Sequence, residues 1–304
     1  MAQHQRLNRR GGCKRVTRFE VLKWCLRGCE IRGTPAFYLW MSRNSLVAGN
    51  SLGSQKGVNN MLTSIALVTG ANKGLGKEVA RQLARRGFRV YLGSRDQARG
   101  EQAVRELAAP GLELIPVQLD VTSHESVAAL AEHFSRELKH VDVLINNAGI
   151  LVSRPALEIT VAEMRQTYET NVFGPVRMIQ AMLPFLQASQ HPRIVNVAST
   201  TASLALASDP NSMFSREDTI LAYASSKAAV SMLTIQYANA FKRTETHSRI
   251  KINTATPGFI ATDLNGFKGT RTVQEGARIV IELATLEDDG PTGGFFNDAG
   301  PLPW

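Results

Sequence analysis

Short apolar runs alternate along most of the chain with longer segments whose apolar residues recur at helical spacing. The runs predict strands over residues 66–68, 88–93, 112–118, 141–145, 193–197 and 250–255, and residues 294–298 can supply a last strand. The periodic segments predict helices over residues 77–86, 97–107, 123–138 and 272–286, with another beginning near Leu221. A long helical pattern fills residues 160–186, where Pro175 and Pro184 are expected to kink or end it.

The alternation of strands with helices predicts an α/β fold. Parallel strands need crossover connections, and helices supply them while covering both faces of the sheet. We therefore expect one domain built on a doubly wound parallel sheet, with residues 204–217 irregular. Ligand-binding and catalytic groups should gather at the carboxyl ends of the strands.

Charge separates the chain into two parts. Residues 1–60 hold eleven Lys and Arg and two Glu, a net charge of +9. The whole chain also carries +9, from 35 basic and 26 acidic residues, so residues 61–304 have 24 of each and sum to zero. The high isoelectric point therefore describes the leader and not the predicted domain of residues 61–304.

The basic leader, residues 1–60, matches no packed fold. We expect it to be disordered or to be an upstream extension of the reading frame, which is the favoured interpretation because Met61 precedes a self-sufficient domain. A targeting leader is the next interpretation, and a basic tail for nucleic acid or an anionic membrane is the third. Its cysteines, Cys13, Cys25 and Cys29, lack a zinc spacing, so we assign no metal.

The cysteine-free remainder fits a reducing compartment, so we expect a cytoplasmic protein. No apolar run in the sequence approaches the ~18 residues of a membrane span. We expect neither a membrane nor a nucleic-acid partner.

A glycine cluster follows the first predicted strand. Gly70, Gly74 and Gly76 allow a sharp turn and a close backbone approach to a ligand, and the helix that follows offers unpaired N–H groups to a pyrophosphate. This pattern predicts the dinucleotide site of a Rossmann-type sheet. A flexible turn is the simpler alternative. A P-loop is disfavoured because residue 71 is Ala and residue 78 is Glu.

Four polar residues are candidates for chemistry: Asn171, Ser199, Tyr223 and Lys227. Tyr223 and Lys227 are four residues apart on a predicted helix, so they share a face. Each has an ordinary explanation, since Tyr commonly packs in a core, Lys lies on a solvated face and Ser caps a turn. Together they suggest acid–base chemistry, in which the ammonium lowers the phenol's pKa and Ser199 donates to a substrate oxygen.

These elements resemble the short-chain dehydrogenase/reductase family, in its compact branch and among its carbonyl-reductase-like members. The resemblance covers essentially all of residues 61–304 and rests on six spaced elements: Thr69-Gly70-x-x-x-Gly74-x-Gly76, Asn146-Asn147-Ala148-Gly149, Asn171, Ser199, Tyr223-x-x-x-Lys227 and Pro257-Gly258. It implies that Tyr223 is the acid/base, that Lys227 binds the nicotinamide ribose and tunes Tyr223, and that Asn171 links Lys227 to solvent.

The resemblance also implies where a nicotinamide cofactor binds. The glycine turn would cradle it, Asp120 and Val121 would lie beside the adenine, and other segments would contact the ribose and nicotinamide. The complete expected set is Gly70, Asn72, Lys73, Gly74, Leu75, Gly76, Arg95, Asp120, Val121, Asn147, Ala148, Gly149, Tyr223, Lys227, Pro257, Gly258 and Thr262.

Charge favours NADP(H) over NAD(H). An acid after the second strand holds the ribose 2′-OH of NAD, whereas Arg accommodates a 2′-phosphate. Here Ser94 takes the acidic position, Arg95 follows it, and Lys73 lies in the glycine turn. Asp96 weakens this argument slightly, and Arg and Lys on an ordinary solvated surface are the alternative.

The expected function is hydride transfer between NADP(H) and a carbonyl or alcohol substrate. A non-catalytic NADP(H)-binding regulatory module is the alternative, which the complete catalytic set disfavours. Two departures from the family concern Ser199: Ala198 precedes it where many relatives have Ser, and 24 positions separate it from Tyr223. The added segment, residues 208–212, is expected to alter the substrate pocket or a dimer-forming face, which leaves a homodimer open and disfavours a tetramer.

Overall fold

The computed structural model describes residues 64–304. The predicted leader, residues 1–60, and its cysteines lie outside the described residues. Its disorder, its targeting role and its origin as an upstream extension therefore stay predictions.

An eight-stranded sheet forms the centre of the described part, in the order β3-β2-β1-β4-β5-β6-β7-β8. Neighbouring strands from β3 to β7 are parallel, and β8 is antiparallel to β7. The strands are β1 (Ile65–Val68), β2 (Arg89–Ser94), β3 (Glu113–Gln118), β4 (Val143–Asn146), β5 (Arg193–Val197), β6 (Lys251–Ala255), β7 (Phe295–Asn297) and β8 (Gly300–Pro301). This order confirms the doubly wound, Rossmann-type sheet.

Helices connect the parallel strands and cover the sheet on both sides. They are α1 (Gly74–Arg85), α2 (Gln97–Leu107), α3 (His124–Glu137), α4 (Val161–Tyr168), α5 (Gly174–Ala188), α6 (Leu204–Ser208), α7 (Leu221–Arg243) and α8 (Val273–Ala284). Helices α1 and α8 pack together, whereas α3 packs against α5. Ser123 caps α3 by accepting the Ser126 N–H, as its position in the sequence predicts.

The core follows from these buried faces. All four residues of β1 are buried, as expected for a central parallel strand. On the side of α3, α5 and α7, Phe134 lies edge-on to Tyr91 at 4.7 Å and to Phe185 at 6.0 Å between ring centroids. Burial of these rings and of the neighbouring aliphatic residues supplies the hydrophobic stabilisation of this face.

The long helical pattern predicted over residues 160–186 is divided in the structure. Helix α4 ends at Tyr168, a π-helical turn spans Glu169–Phe173, and α5 then continues to Ala188. Pro175 lies in the first turn of α5, where its missing N–H costs no hydrogen bond, so it begins a helix and does not end one. Pro184 lies inside α5 without ending it.

Two further segments differ from the sequence prediction. Residues 204–217, expected to be irregular, contain α6 and a 3₁₀ turn, Met213–Arg216. The two-residue strand β8 was not predicted, because its pairing with β7 carries no sequence periodicity of its own. Within residues 64–304, no helix is both long and apolar enough to cross a bilayer.

The strand order reverses between β1 and β4, because β2 and β3 extend to one side and β5 and β6 to the other. A crevice at the carboxyl ends of β1 and β4 is the usual ligand site of such a sheet. The segments that follow β1, β4, β5 and β6 therefore border one site.

Candidate active site

The glycine turn between β1 and α1 is shaped by close contacts. Gly70 and Gly74 have left-handed backbones, with φ of +62° and +54°. A Cβ on Gly70 would lie 2.9 Å from Ala148 Cα, and one on Gly76 would lie 2.4 Å from Asn147 Nδ2. Glycine is therefore required here by backbone conformation and by space.

The start of α1 is suited to an anion. Lys73 occupies the N-cap position with an extended backbone, and its side chain makes no capping hydrogen bond. The first-turn N–H groups of α1 therefore lack a capping side chain and carry the positive end of the helix dipole. Gly74 and Leu75 are the first two residues of α1 and Asn72 precedes its N-cap, and the expected contacts of these three residues with a cofactor stay a prediction.

Thr69 joins the glycine turn to the segment after β4. Its Oγ1 accepts hydrogen bonds of 3.0 Å from the N–H groups of both Asn147 and Ala148. In return, Asn147 Nδ2 donates to the carbonyl oxygens of Thr69 and Gly70 at 2.9 and 3.1 Å. Asn147 thus builds the turn that would receive the cofactor, a structural role that its place in the expected cofactor-binding set did not indicate.

The corner after β2 lacks a free carboxylate. Ser94 is buried and donates from Oγ to the Asp96 carbonyl oxygen at 2.7 Å, while the Asp96 side chain caps α2 through the Arg99 N–H. Arg95 is exposed beside them. The Asp96 carboxylate is engaged in capping α2. It therefore opposes the binding of a 2′-phosphate less than its position in the sequence suggested.

Beyond β3, Asp120 and Val121 have structural contacts of their own. Asp120 Oδ1 accepts from the N–H and hydroxyl of Thr122, at 2.9 and 2.7 Å. Val121 is buried, and its Cγ2 would lie 3.0 Å from a Cβ on Gly174. The pair is rigidly placed at the same edge of the sheet as Arg95.

The segment after β6 reaches the glycine turn. Asp263 forms an ion pair with Lys73, and Thr262 Cγ2 would lie 3.4 Å from a Cβ on Gly74. Arg271 donates to the Pro257 carbonyl oxygen at 2.9 Å and pairs with Asp298. Pro257, Gly258 and Thr262 are thereby held on the same side of the sheet as the turn.

Three candidate catalytic residues meet beside this turn. The Ser199 side chain acts on the Tyr223 hydroxyl, because it lowers the pKa of that phenol against the effect of burial. Lys227 is 4% exposed, and its Nζ lies 5.6 Å from the centroid of the Tyr223 ring. The same Nζ donates to the Val197 carbonyl oxygen at 2.8 Å, which ties α7 to the end of β5.

Asn171 lies in the π-helical turn, and backbone bonds fix it there. Its Oδ1 accepts from the Ile150 N–H at 2.9 Å, and its Nδ2 donates to the Ile150 carbonyl oxygen and to Ser226 Oγ, both at 3.0 Å. A Cβ on Gly149 would lie 3.3 Å from Asn171 Oδ1 and 3.4 Å from Lys227 Nζ. Gly149 thus separates the two side chains, and the expected link from Asn171 to Lys227 stays a prediction.

The pKa shifts correct one expectation. Burial raises the pKa of Tyr223 to about 12, and the hydrogen bond from Ser199 opposes this rise. Burial also lowers the pKa of Lys227 to about 8. The sequence analysis expected the ammonium to lower the phenol's pKa, but withdrawal from water is the larger effect on both groups.

Sequence reasoning missed several residues of the site. The glycine motif contains Thr69 but predicts no role for its side chain, and no pattern in the sequence points to Ser226, Asp263 or Arg271. Only Thr69 carried a signal, because it directly precedes Gly70. The others act through partners more than ten positions away along the chain, which a local pattern does not reveal.

Known proteins are similar to this chain in sequence. A sequence model of the family described as short chain dehydrogenase matches residues 64–272. A short-chain dehydrogenase of Penicillium roqueforti is 35% identical over 226 residues, covering 73% of this chain and 88% of its own. An NADPH carbonyl reductase of Bos taurus is 32% identical over 273 residues, covering 79% of this chain and 98% of its own.

A solved structure is similar as well. The NADPH-bound carbonyl reductase from chicken fatty liver superposes with a TM-score of 0.69 at 28% identity, covering 80% of this chain and 99% of its own.

Proposed function

Because the chain belongs to the short-chain dehydrogenase family, we propose that it is an oxidoreductase that transfers hydride between NADP(H) and a carbonyl or alcohol substrate. The observation that carries this proposal is Lys227 Nζ lying 5.6 Å from the centroid of the Tyr223 ring, with the Ser199 side chain acting on the Tyr223 hydroxyl. This set lies at the carboxyl edge of the sheet, where the glycine turn also opens.

The residues present fit NADP(H). The close-packed glycines leave a cradle that a Cβ would fill, and the start of α1 offers N–H groups without a capping side chain. Arg95 and Lys73 would meet the 2′-phosphate, and no acid replaces Ser94. A relative named as an NADPH carbonyl reductase and a neighbour solved with NADPH support the same cofactor.

When bound, NADPH supplies the hydride, and the side chains of this chain supply position and a proton. Tyr223 donates its hydroxyl proton to the substrate oxygen as negative charge develops there. Ser199 donates a hydrogen bond to the same oxygen. Lys227 would hold the nicotinamide ribose and, when charged, favour the phenolate that Tyr223 leaves behind.

The pKa of Tyr223 supports a proton donor. A phenol with a pKa of about 12 is protonated at neutral pH, so the resting side chain holds the proton that carbonyl reduction consumes. Removing that proton requires stabilisation of the phenolate, to which the charge of Lys227 contributes. The proposed role of Tyr223 when a carbonyl is reduced is therefore that of proton donor.

The rim of the site favours an apolar substrate. Six large apolar side chains are exposed on the segments that follow β4, β5 and β6: Leu157, Leu204, Met213, Phe259, Leu264 and Phe267. Each of these segments begins at the carboxyl edge of the sheet, where the proposed site lies. We propose that the substrate is an uncharged, largely apolar carbonyl compound.

The test is an assay of the full chain with NADPH and NADH against a carbonyl panel. The panel contains alicyclic and aromatic ketones and aldehydes, together with keto acids and sugars as polar comparisons. We expect NADPH oxidation with the apolar ketones or aldehydes. NADPH binding without oxidation of any panel member would instead favour the non-catalytic regulatory module.

A further inference from the structure

Residues 300–304 lie directly behind the catalytic serine. The Trp304 ring stacks on Phe295 of β7, with centroids 5.4 Å apart and planes 18° from parallel. The Leu302 N–H donates to the Phe295 carbonyl oxygen at 2.8 Å, which fixes the approach of the segment. Trp304 is therefore held by a strand of the central sheet.

The cluster that Trp304 joins is built from neighbours of the catalytic residues. Its buried members are Ala198, Ala202 and Phe295, and Ala228, Leu302 and Trp304 pack against them. Ala198 directly precedes Ser199, and Ala228 directly follows Lys227. Small residues on the catalytic side of this cluster leave the large indole ring to fill the space behind them.

A second contact links Trp304 to the turn of Ser199. The Ala205 N–H, at the start of α6, donates to the Trp304 carbonyl oxygen at 2.9 Å. Three residues earlier, the Ala202 N–H donates to the Ser199 carbonyl oxygen at 2.9 Å. The backbone from Ser199 to α6 is thus fixed at both ends, by β5 and by Trp304.

Building on the proposed function, we propose that Trp304 is a positioning residue: it fixes the turn that aims Ser199 at Tyr223. The physical reason is space, because Ala198 and Ala202 cannot fill the volume behind the turn themselves. Without the indole ring, the turn can relax into the vacated space, and the Ser199 hydroxyl leaves the Tyr223 hydroxyl.

The test observes the effect of Ser199 on the Tyr223 hydroxyl directly, in the full chain. Tyrosine labelled with ¹³C at Cζ gives one NMR resonance for each of five Tyr residues, and Tyr223→Phe assigns the relevant one. Ser199→Ala supplies the signature of a lost hydrogen bond. We expect Trp304→Ala to move the Tyr223 resonance towards its position in Ser199→Ala, and Trp304→Phe to keep it near the wild-type position.

Kinetics provide the second readout. We expect Trp304→Ala to lower kcat/KM for the carbonyl substrate by about 10-fold, since small misplacements of a catalytic group are costly. The Kd for NADPH should stay within about twofold, because the ring lies far from the anion-binding turn. Phe134→Leu, which also removes buried aromatic volume, is the matched control and should leave the Tyr223 resonance in place.

The outcomes separate the two proposals. A Tyr223 resonance in Trp304→Ala that matches wild type would overturn the positioning role, whatever the activity. A protein without activity on any carbonyl would overturn the proposed function, while the resonance still decides the role of Trp304. If Trp304→Ala fails to fold, Trp304→Val, which still leaves much of the space of the indole ring empty, replaces it in the same comparison.

Discussion

At the scale of single residues, the site depends on two groups with pKa values shifted by burial. Tyr223 is kept protonated and Lys227 is brought towards neutrality. Burying two titratable groups side by side costs desolvation free energy, and such pairs are typical of functional sites. The following predictions test the roles of individual side chains.

Replacing Tyr223 by Phe removes the proposed proton donor and keeps the ring. We expect kcat/KM for the carbonyl substrate to fall by about 100- to 10,000-fold, the usual worth of acid–base catalysis. NADPH binding, measured by titration of cofactor fluorescence, should be nearly unchanged. Substantial residual turnover would count against Tyr223 as the acid/base.

Replacing Arg95 by Ala tests the 2′-phosphate contact. Lys73 already pairs with Asp263, whereas Arg95 is exposed without such an ion pair among the described residues. We expect the Kd for NADPH to rise by about 10- to 100-fold, the worth of a charge-assisted hydrogen bond. The Kd for NADH should hardly change, and equal losses for both cofactors would remove Arg95 from the phosphate site.

Burial of Lys227 has a measurable effect on stability. Its pKa of about 8 lies below the ordinary 10.5, so between these values the unfolded chain binds more protons than the folded one. Stability therefore rises with pH across this window, by up to about 3 kcal/mol at 1.4 kcal/mol for each pKa unit. Lys227→Met should lack this rise in urea unfolding experiments, and an identical pH dependence in both proteins would contradict the shift.

At the scale of elements, the glycine turn and the segments after β4 and β6 act together. Thr69 and Asn147 join the first two, and Thr262 and Asp263 bring the third against the turn. The π-helical turn adds Asn171, which it presents to Ile150 and Ser226. Such bulges inside helices are frequent at functional sites.

Gly76→Ala tests whether space in the turn is essential. The added Cβ would meet Asn147 Nδ2 at 2.4 Å and the Gly70 carbonyl oxygen at 2.7 Å. We expect a loss of about 1–3 kcal/mol of stability from overpacking, together with loss of NADPH binding.

Gly87→Ala is the control for this variant. A Cβ there would meet no atom within 4 Å, although φ is +87°. It should cost about 1–2 kcal/mol through backbone strain and leave NADPH binding intact. If both variants bind NADPH normally, the turn does not hold the cofactor.

At the scale of the whole molecule, the net positive charge lies in residues 1–60 and the candidate site lies in residues 61–304. Residues 61–304 are neutral in net charge and contain every residue of the candidate site. We therefore expect a protein lacking residues 1–60 to keep kcat/KM within about twofold, since every residue of the candidate site is retained. The same assay under matched conditions measures it, and a loss of activity would give the leader a role in the domain.

Local patterns predicted much of the fold. Helix α2 spans Gln97–Leu107 as its periodicity indicated, and Ser123 caps α3. Boundaries that depend on distant contacts were less accurate. Helix α1 begins at Gly74, three residues before the predicted start. Glycine has a low helix propensity, so the sequence pattern excluded Gly74 and Gly76 from the helix, whereas the packing of the turn in the folded protein includes them.

The sequence by itself determined the α/β alternation, the glycine turn, the family resemblance and the identity of the catalytic candidates, because each rests on residue types at short, fixed spacing. Only the tertiary structure decided which side chains are already paired, such as Lys73 with Asp263 and Asn171 with Ile150. It also reversed the expected pKa shift of Tyr223. The reason is that burial and long-range pairing depend on segments far apart in the chain. Inside the folded protein, the effect of burial on the pKa of Tyr223 outweighs the effect of the neighbouring charge.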